Sequence, residues 1–160
     1  MDFIERTISL ALKNVEEGGR PFATVIARNG EVLAESANQV AQTHDPTAHA
    51  EILAIRKACA ALSSEHLSDC VFYILAHPCP MCLGAMYYTS PEKVIFLTQR
   101  DDYAKYYVDD RKYFELSTFY AEFNRPYQER RMPMEYHPVP AAIDVYKRWH
   151  ELNPVSIKSR

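Results

Sequence analysis

The chemistry this sequence offers most plainly is carried by His49, Glu51, Cys79 and Cys82, which stand as His-Ala-Glu and, further along, Pro-Cys-Pro-Met-Cys. Two thiolates and one imidazole are good zinc ligands. They number one fewer than a closed structural zinc site uses, which leaves a position for a water whose pKa the metal lowers toward neutrality. Glu51 is better employed carrying protons between that water and a substrate than serving as a fourth ligand. Both halves fall at the start of a predicted helix, where exposed N–H groups and the helix dipole favour ionised sulfur. A CxxC alone divides between metal, redox and coincidence, and a lone histidine early in a helix is more often a cap or a surface residue. The combination favours a catalytic metal site, since a thioredoxin-like use of CPMC leaves His49 and Glu51 unexplained. A zinc that only staples the fold requires a fourth protein ligand, for which His44 and His77 are the candidates. Cys59 and Cys70 read as small core hydrophobes.

The elements that must position these residues follow from hydrophobic spacing. Ile4, Ile8, Leu12 and Val15 mark an amphipathic helix that stops at Gly18-Gly19. Phe22 to Ala27, Asn29-Gly30 and Glu31 to Asn38 predict a β-hairpin. Asp45-Pro46-Thr47 predicts the start of a helix over about 47–62, with Ile52, Ile55, Cys59 and Leu62 as its apolar stripe. Cys70 to Ala76 reads as a strand buried on both faces, Cys79 to Tyr88 as a helix with Pro80 in its first turn, and Val94 to Thr98 as a second buried strand parallel to the first. Residues 101–140 are tyrosine-rich and interrupted by prolines. They predict a short helix near 110–115 and a strand near 132–137, followed by a terminal helix over about 141–152.

The chain of 160 residues has the length of one domain, and 18 Lys and Arg against 21 Asp and Glu give a net charge of −3. That balance supplies no broad electropositive surface for nucleic acid and suits a small, weakly charged partner. With no long apolar run and an acidic N-terminal segment, the chain reads as soluble, cytoplasmic and without a membrane partner. Its four glycines form no phosphate-cradling loop. Arg125, Arg130 and Arg131 are the one basic cluster, expected as a solvated face or a dimer contact.

HAE with PCPMC resembles the signature of the zinc-dependent cytidine-deaminase-like superfamily. From GGRPFATVI through NQV, DPTAHAEILAIRKAC and PCPMCLGAMYY to YVDD and ERRMP, the chain resembles the bacterial guanine deaminase family. That resemblance implies an α/β fold of three layers, α/β/α, with a central mixed five-stranded sheet in a single domain spanning 1–160, and a homodimer in which the segment from about 141 to 160 is exchanged between subunits. It implies one Zn2+ per subunit held by His49, Cys79 and Cys82, and Glu51 as proton shuttle. Phe22, Asn38, Ala48, His77 and Asp110 are implied as the substrate-binding residues, Asn38 bonding the base and Asp110 reading the guanine edge. Without the resemblance, Asp109, Asp110 and Arg111 read as a solvated charge run and Asn38 as a turn residue. Tyr106 and Tyr107 suit stacking on a base or packing alike.

The implied activity is hydrolysis of a free nucleobase, guanine to xanthine and ammonia. The sequence departs from the family at three places. Ala76-His77 stands where the family has Cys-Glu, Ala23 stands where it commonly has glycine, and the chain ends NPVSIKSR, leaving Tyr146, Trp149 or His150 as candidates for a residue that closes the site. His77 therefore leaves open other amino-heterocycles as substrates: cytosine, a triazine such as ammeline, or a guanine nucleoside. Deamination of adenosine in tRNA shares the signature but asks for a basic surface.

Overall fold

The structure, a computed structural model, describes residues 1–154. The remainder of the segment expected to exchange between subunits, 155–160, lies outside the described residues. Helix α1 (Phe3–Glu16) is capped by Asp2, whose Oδ1 accepts from the Ile4 and Glu5 N–H groups at 2.9 and 3.2 Å. The helix forms, but Ile4, Ile8, Leu12 and Val15 face outward and Thr7, Ala11 and Asn14 face the sheet. The small inward residues let the helix lie close to the strands. Their polar groups are satisfied, Thr7 Oγ1 donating to Phe3 O at 2.7 Å.

Strands β1 (Ala23–Arg28) and β2 (Glu31–Ala37) form the predicted hairpin. Asn29 and Gly30 both take positive φ, 52° and 78°, the backbone that a tight two-residue turn between twisted strands demands. β3 (Cys70–Ala76) pairs antiparallel with β1 and parallel with β4 (Lys93–Thr98), giving the order β2-β1-β3-β4. The described residues thus form a sheet of four strands rather than five. The segment 132–137, expected as a strand, is irregular; Pro133 and Pro138 have no N–H to give a ladder. β4 is an edge strand and only partly buried, whereas β3 buries one face completely.

Helices α3 (Ala50–Leu62) and α4 (Pro80–Thr89) cover the sheet face that carries Ile26, Phe72 and Ile74. Ala54, Ala58, Leu67, Cys70 and Met86 complete this core, with Ile55, Cys59 and Leu62 packed against it. Phe72 is fully buried, which stabilises the fold by about 2–3 kcal/mol. The opposite face carries Tyr73, whose ring centroid lies 5.1 Å from that of Phe3 on α1. Helices on both faces of a mixed sheet make the three-layer α/β/α arrangement.

Residues Met1–Ser117 form one compact unit, which also includes the short helices α2 (Val40–Thr43) and α5 (Arg100–Tyr103). In place of the helix expected near 110–115 there is a turn closed by Arg111 and Phe114, whose backbone groups bond at 2.7 and 3.2 Å. A second unit begins at Thr118 and contains α6 (Phe119–Phe123), a 3₁₀ turn (Tyr127–Glu129) and α7 (Pro140–Leu152). Its organising residue is Glu122, which accepts from the Arg131 N–H at 2.6 Å and pairs with Arg125 at 3.6 Å. Arg130 donates to the Phe123 and Arg125 carbonyls, both at 3.1 Å. The basic cluster is exposed at Arg125 and Arg131 and is also bonded within its own unit.

Candidate active site

Two helices begin at the edge where β3 ends, and their first turns carry the chemistry. His49 is the N-cap of α3 and Glu51 lies in that helix's first turn; Cys79 is the N-cap of α4, with Pro80 next and Cys82 in the same turn. α3 starts later than the sequence predicts. Asp45 Oδ1 accepts from the Thr47 N–H at 2.8 Å and the Thr47 hydroxyl at 2.7 Å, closing a local turn, and His49 takes the N-cap position instead. At the other half, the His77 N–H donates to Thr98 O at 2.8 Å, carrying the β3–β4 ladder past Ala76 and fixing where the Pro78-Cys79 step emerges.

The three donors converge. His49 Nδ1 lies 3.5 Å from Cys79 Sγ and 3.6 Å from Cys82 Sγ, and all three ligand atoms fall within 4.8 Å of one another. Tetrahedral zinc with ordinary Zn–S and Zn–N bonds sets its sulfur and nitrogen ligands about 3.6 Å apart, so the separations fit that ion. The Cys82 thiol donates to Cys79, which with His49 beside it pulls Cys79 down to about 4, and the same contact together with burial pushes Cys82 up. A divalent cation between them removes that conflict by accepting both as thiolates. Burial pushes the Glu51 carboxyl above its ordinary range, and the Cys79 thiolate adds to that shift. In contrast, burial pushes the core thiol of Cys70 up to about 11, the condition of an unreactive cysteine. No fourth donor joins the group among the described residues: His44 is exposed, and His77 bonds elsewhere.

Beside the donors lies a cavity of about 320 Å³ whose lining includes Phe22, Asn38, Glu51, His77, Cys79 and Asp110. Of the residues implied by the resemblance, Ala48 is not in that lining. It is buried, and its carbonyl accepts from the Gln39 N–H at 3.0 Å, which ties the end of β2 to the start of α3. Asn38 is 3% exposed. Its Oδ1 accepts from the Val40 N–H at 3.0 Å, which leaves its Nδ2 as the group to offer the cavity. Phe22 packs edge-on against Tyr107 and Tyr103, with centroids 5.0 and 6.0 Å apart. Tyr106, the other expected stacking residue, is 79% exposed and outside the lining. Asp109 and Asp110 both line the cavity; Asp109 is held between Arg111 at 2.9 Å and Arg20 at 3.5 Å, and Asp110 Oδ1 accepts from the Leu116 N–H at 3.4 Å.

Sequence reasoning missed Arg20, Tyr103 and Asn14. The Gln99–Asp102 pair is a capping box and was a readable signal for α5, and hence for Tyr103. Asn14 gave none: it sits on a predicted helix, yet it is 3% exposed and its Nδ2 donates to Arg20 O at 2.7 Å and Asn38 O at 2.9 Å.

Residues 1–98 match the cytidine and deoxycytidylate deaminase zinc-binding region, a stretch that contains all four of His49, Glu51, Cys79 and Cys82. The chain belongs to this zinc-binding deaminase family. It is accordingly a zinc-binding hydrolase acting on carbon–nitrogen bonds. Among relatives of this deaminase, guanine deaminase of Bacillus subtilis is 38% identical over 148 residues, covering 92% of this chain and 91% of the relative. A tRNA-specific adenosine deaminase of Aquifex aeolicus is 31% identical over 143 residues, covering 89% of this chain and 88% of the relative. The solved structure of guanine deaminase from Bacillus subtilis superposes with a TM-score of 0.83 at 36% identity, covering 99% of this chain and 96% of that one. No helix among the described residues is long and apolar enough to cross a membrane.

Proposed function

We propose that this deaminase hydrolyses the amino group of free guanine, giving xanthine and ammonia, with His49, Cys79 and Cys82 as its zinc ligands and Glu51 as its proton carrier. The observation that carries the reading is the close donor set beside a cavity that holds both a buried amide and an acid, in a chain similar over nearly its whole length to a guanine deaminase. When bound, the metal supplies a water ionised near neutral pH. Glu51 takes a proton from the attacking water and delivers it to the ring nitrogen beside the amino-bearing carbon; it then takes the second proton, from the hydroxyl now on that carbon, and gives it to the departing amine as the carbonyl forms. A carboxyl with a raised pKa suits both the acid and the base step. Asn38 Nδ2 donates to an acceptor of the base, Asp110 and His77 face its N–H groups, and Phe22 packs on its ring. Ala48 acts from behind, holding Gln39, and so its neighbour Asn38, beside the ligand His49.

The protein works, in this reading, as a cytoplasmic homodimer of single deaminase domains that exchange the segment from about 141 to 160. Four unpaired cysteines suit a reducing compartment. Ile8 and Leu12 on α1 are 47% and 59% exposed, Tyr87 and Tyr88 on α4 are 79% and 87% exposed, and Tyr146 and Trp149 on α7 are likewise exposed, apolar surface suited to a second copy. The net charge of −3 and the bonding of Arg125, Arg130 and Arg131 within their own unit weigh against an RNA substrate. Ammonia release from zinc-loaded protein on guanine, guanosine, adenine, cytosine and ammeline tests the assignment. Turnover of guanine above the other four is expected, and turnover confined to a pyrimidine or triazine overturns it.

A further inference from the structure

His77 follows the last residue of β3 and lines the cavity two residues before the ligand Cys79. Its ring is held in place. Nδ1 lies 3.1 Å from the Pro78 carbonyl oxygen, and Phe96 packs against the ring edge-on, centroids 5.1 Å apart and planes at 78°. A carbonyl oxygen can only accept, so the hydrogen of that bond belongs to Nδ1. With the hydrogen on Nδ1, Nε2 is the ring nitrogen left to accept, and it has no hydrogen-bond partner among the described residues.

Across the same cavity, Asn38 turns the opposite kind of group inward, its Oδ1 being occupied by Val40. The site thus presents a donor from Asn38 and an acceptor from His77. We propose that His77 determines specificity: its Nε2 accepts a ring N–H adjacent to the amino-bearing carbon, selecting bases that offer a donor there over bases that offer a lone pair. This rests on the nucleobase reading of the site. Guanine offers N1–H beside C2, whereas 2-aminopurine carries the same amino group beside a bare ring nitrogen. In the second case two lone pairs face each other and neither is satisfied, which disfavours the complex by about 10–100-fold.

The test compares kcat/KM for guanine and 2-aminopurine in zinc-loaded wild type, His77→Phe and His77→Glu, together with ¹⁵N NMR of the His77 ring in wild type. Taking the ratio of the two substrates cancels their different intrinsic reactivity. Expected are a ratio that falls at least about tenfold in His77→Phe, a ratio recovered to within about threefold in His77→Glu, which restores an acceptor, and hydrogen on Nδ1 but not Nε2. The proposal is overturned by a ratio unchanged in His77→Phe, by a glutamate no better than phenylalanine, or by hydrogen on Nε2. Loss of zinc in His77→Phe overturns it as well, since that would make His77 a metal ligand. If wild type deaminates some other base and not guanine, the guanine assignment fails separately. His77→Phe must then cost at least about tenfold on that base, and His77→Glu must recover it, or this proposal fails too.

Discussion

Replacing Asn14 by alanine tests how the substrate side of the cavity is held from a helix that never touches it. The Asn14 amide donates to Arg20 O at 2.7 Å and Asn38 O at 2.9 Å, and its Oδ1 accepts from Gln42 Nε2 at 3.0 Å. It thereby joins three segments: α1, the turn that leads to Phe22, and the end of β2 where Asn38 sits. The Asn38 N–H in turn donates to Phe22 O at 2.9 Å, so two of the proposed base contacts share one anchor. Truncation removes one donor from each of two backbone carbonyls, Arg20 O keeping the Phe22 N–H at 2.9 Å and Asn38 O keeping Gln39 Nε2 at 3.3 Å, while Gln42 can turn to water. At about 0.5–1.5 kcal/mol for each lost hydrogen bond, the variant loses about 1–3 kcal/mol of stability. For a chain of this length that lowers Tm by about 5 °C, readable by calorimetry on the zinc-loaded protein. Because Asn38 and Phe22 move while Glu51 and the ligands stay, KM for guanine rises about tenfold and kcat stays within about threefold, the split expected when only binding contacts are lost. A melting point within about 2 °C of wild type, or a fall in kcat at unchanged KM, refutes the reasoning.

Removing zinc with a chelator abolishes ammonia release and lowers Tm, and adding zinc back restores both, because a ligand bound only by the folded state stabilises it; activity that survives chelation contradicts the metal assignment. Arg6 donates to Glu35 through both Nε and a terminal nitrogen, and this pairing holds the Glu35 carboxyl below its ordinary range. A depressed carboxyl contributes stability that is present above the ordinary glutamate pKa of about 4.3 and is lost as the pH falls through its lowered folded value. Glu35→Gln therefore melts about 1–3 °C below wild type at pH 7, and the two curves converge in acid; a gap that persists below about pH 3 contradicts this.

Much of the site was legible because its residues obey local rules. Helix N-termini, the Pro80 signal and the Asn29-Gly30 turn each announce themselves within a few residues, and the β-α-β order dictates that β3 and β4 lie parallel. What escaped was decided by tertiary partners. The inward face of α1 is the one on which Asn14 reaches the Arg20 and Asn38 carbonyls and Thr7 reaches Tyr73 O at 3.5 Å, against the reading that an apolar stripe alone invites. Asp45 resembled a helix cap but closed its own turn with Thr47. Between 100 and 140 the tyrosines and charges carry no period, so the short α5, the turn at Arg111 and the absence of a strand at 132–137 followed from bonds that spacing does not encode. Asp109 and Asp110 are neighbours of identical type, distinguished by the arginines beside Asp109 and the Leu116 N–H that Asp110 accepts.

Whether one carboxylate moves the protons beside a three-ligand zinc site is decided by zinc content and guanine turnover measured together in Glu51→Gln. Expected are about one zinc per chain, an unchanged fold and ammonia release lower by at least about a hundredfold. Near-normal turnover would contradict the assignment of Glu51 as proton carrier, and loss of the metal would show that Glu51 holds the zinc instead.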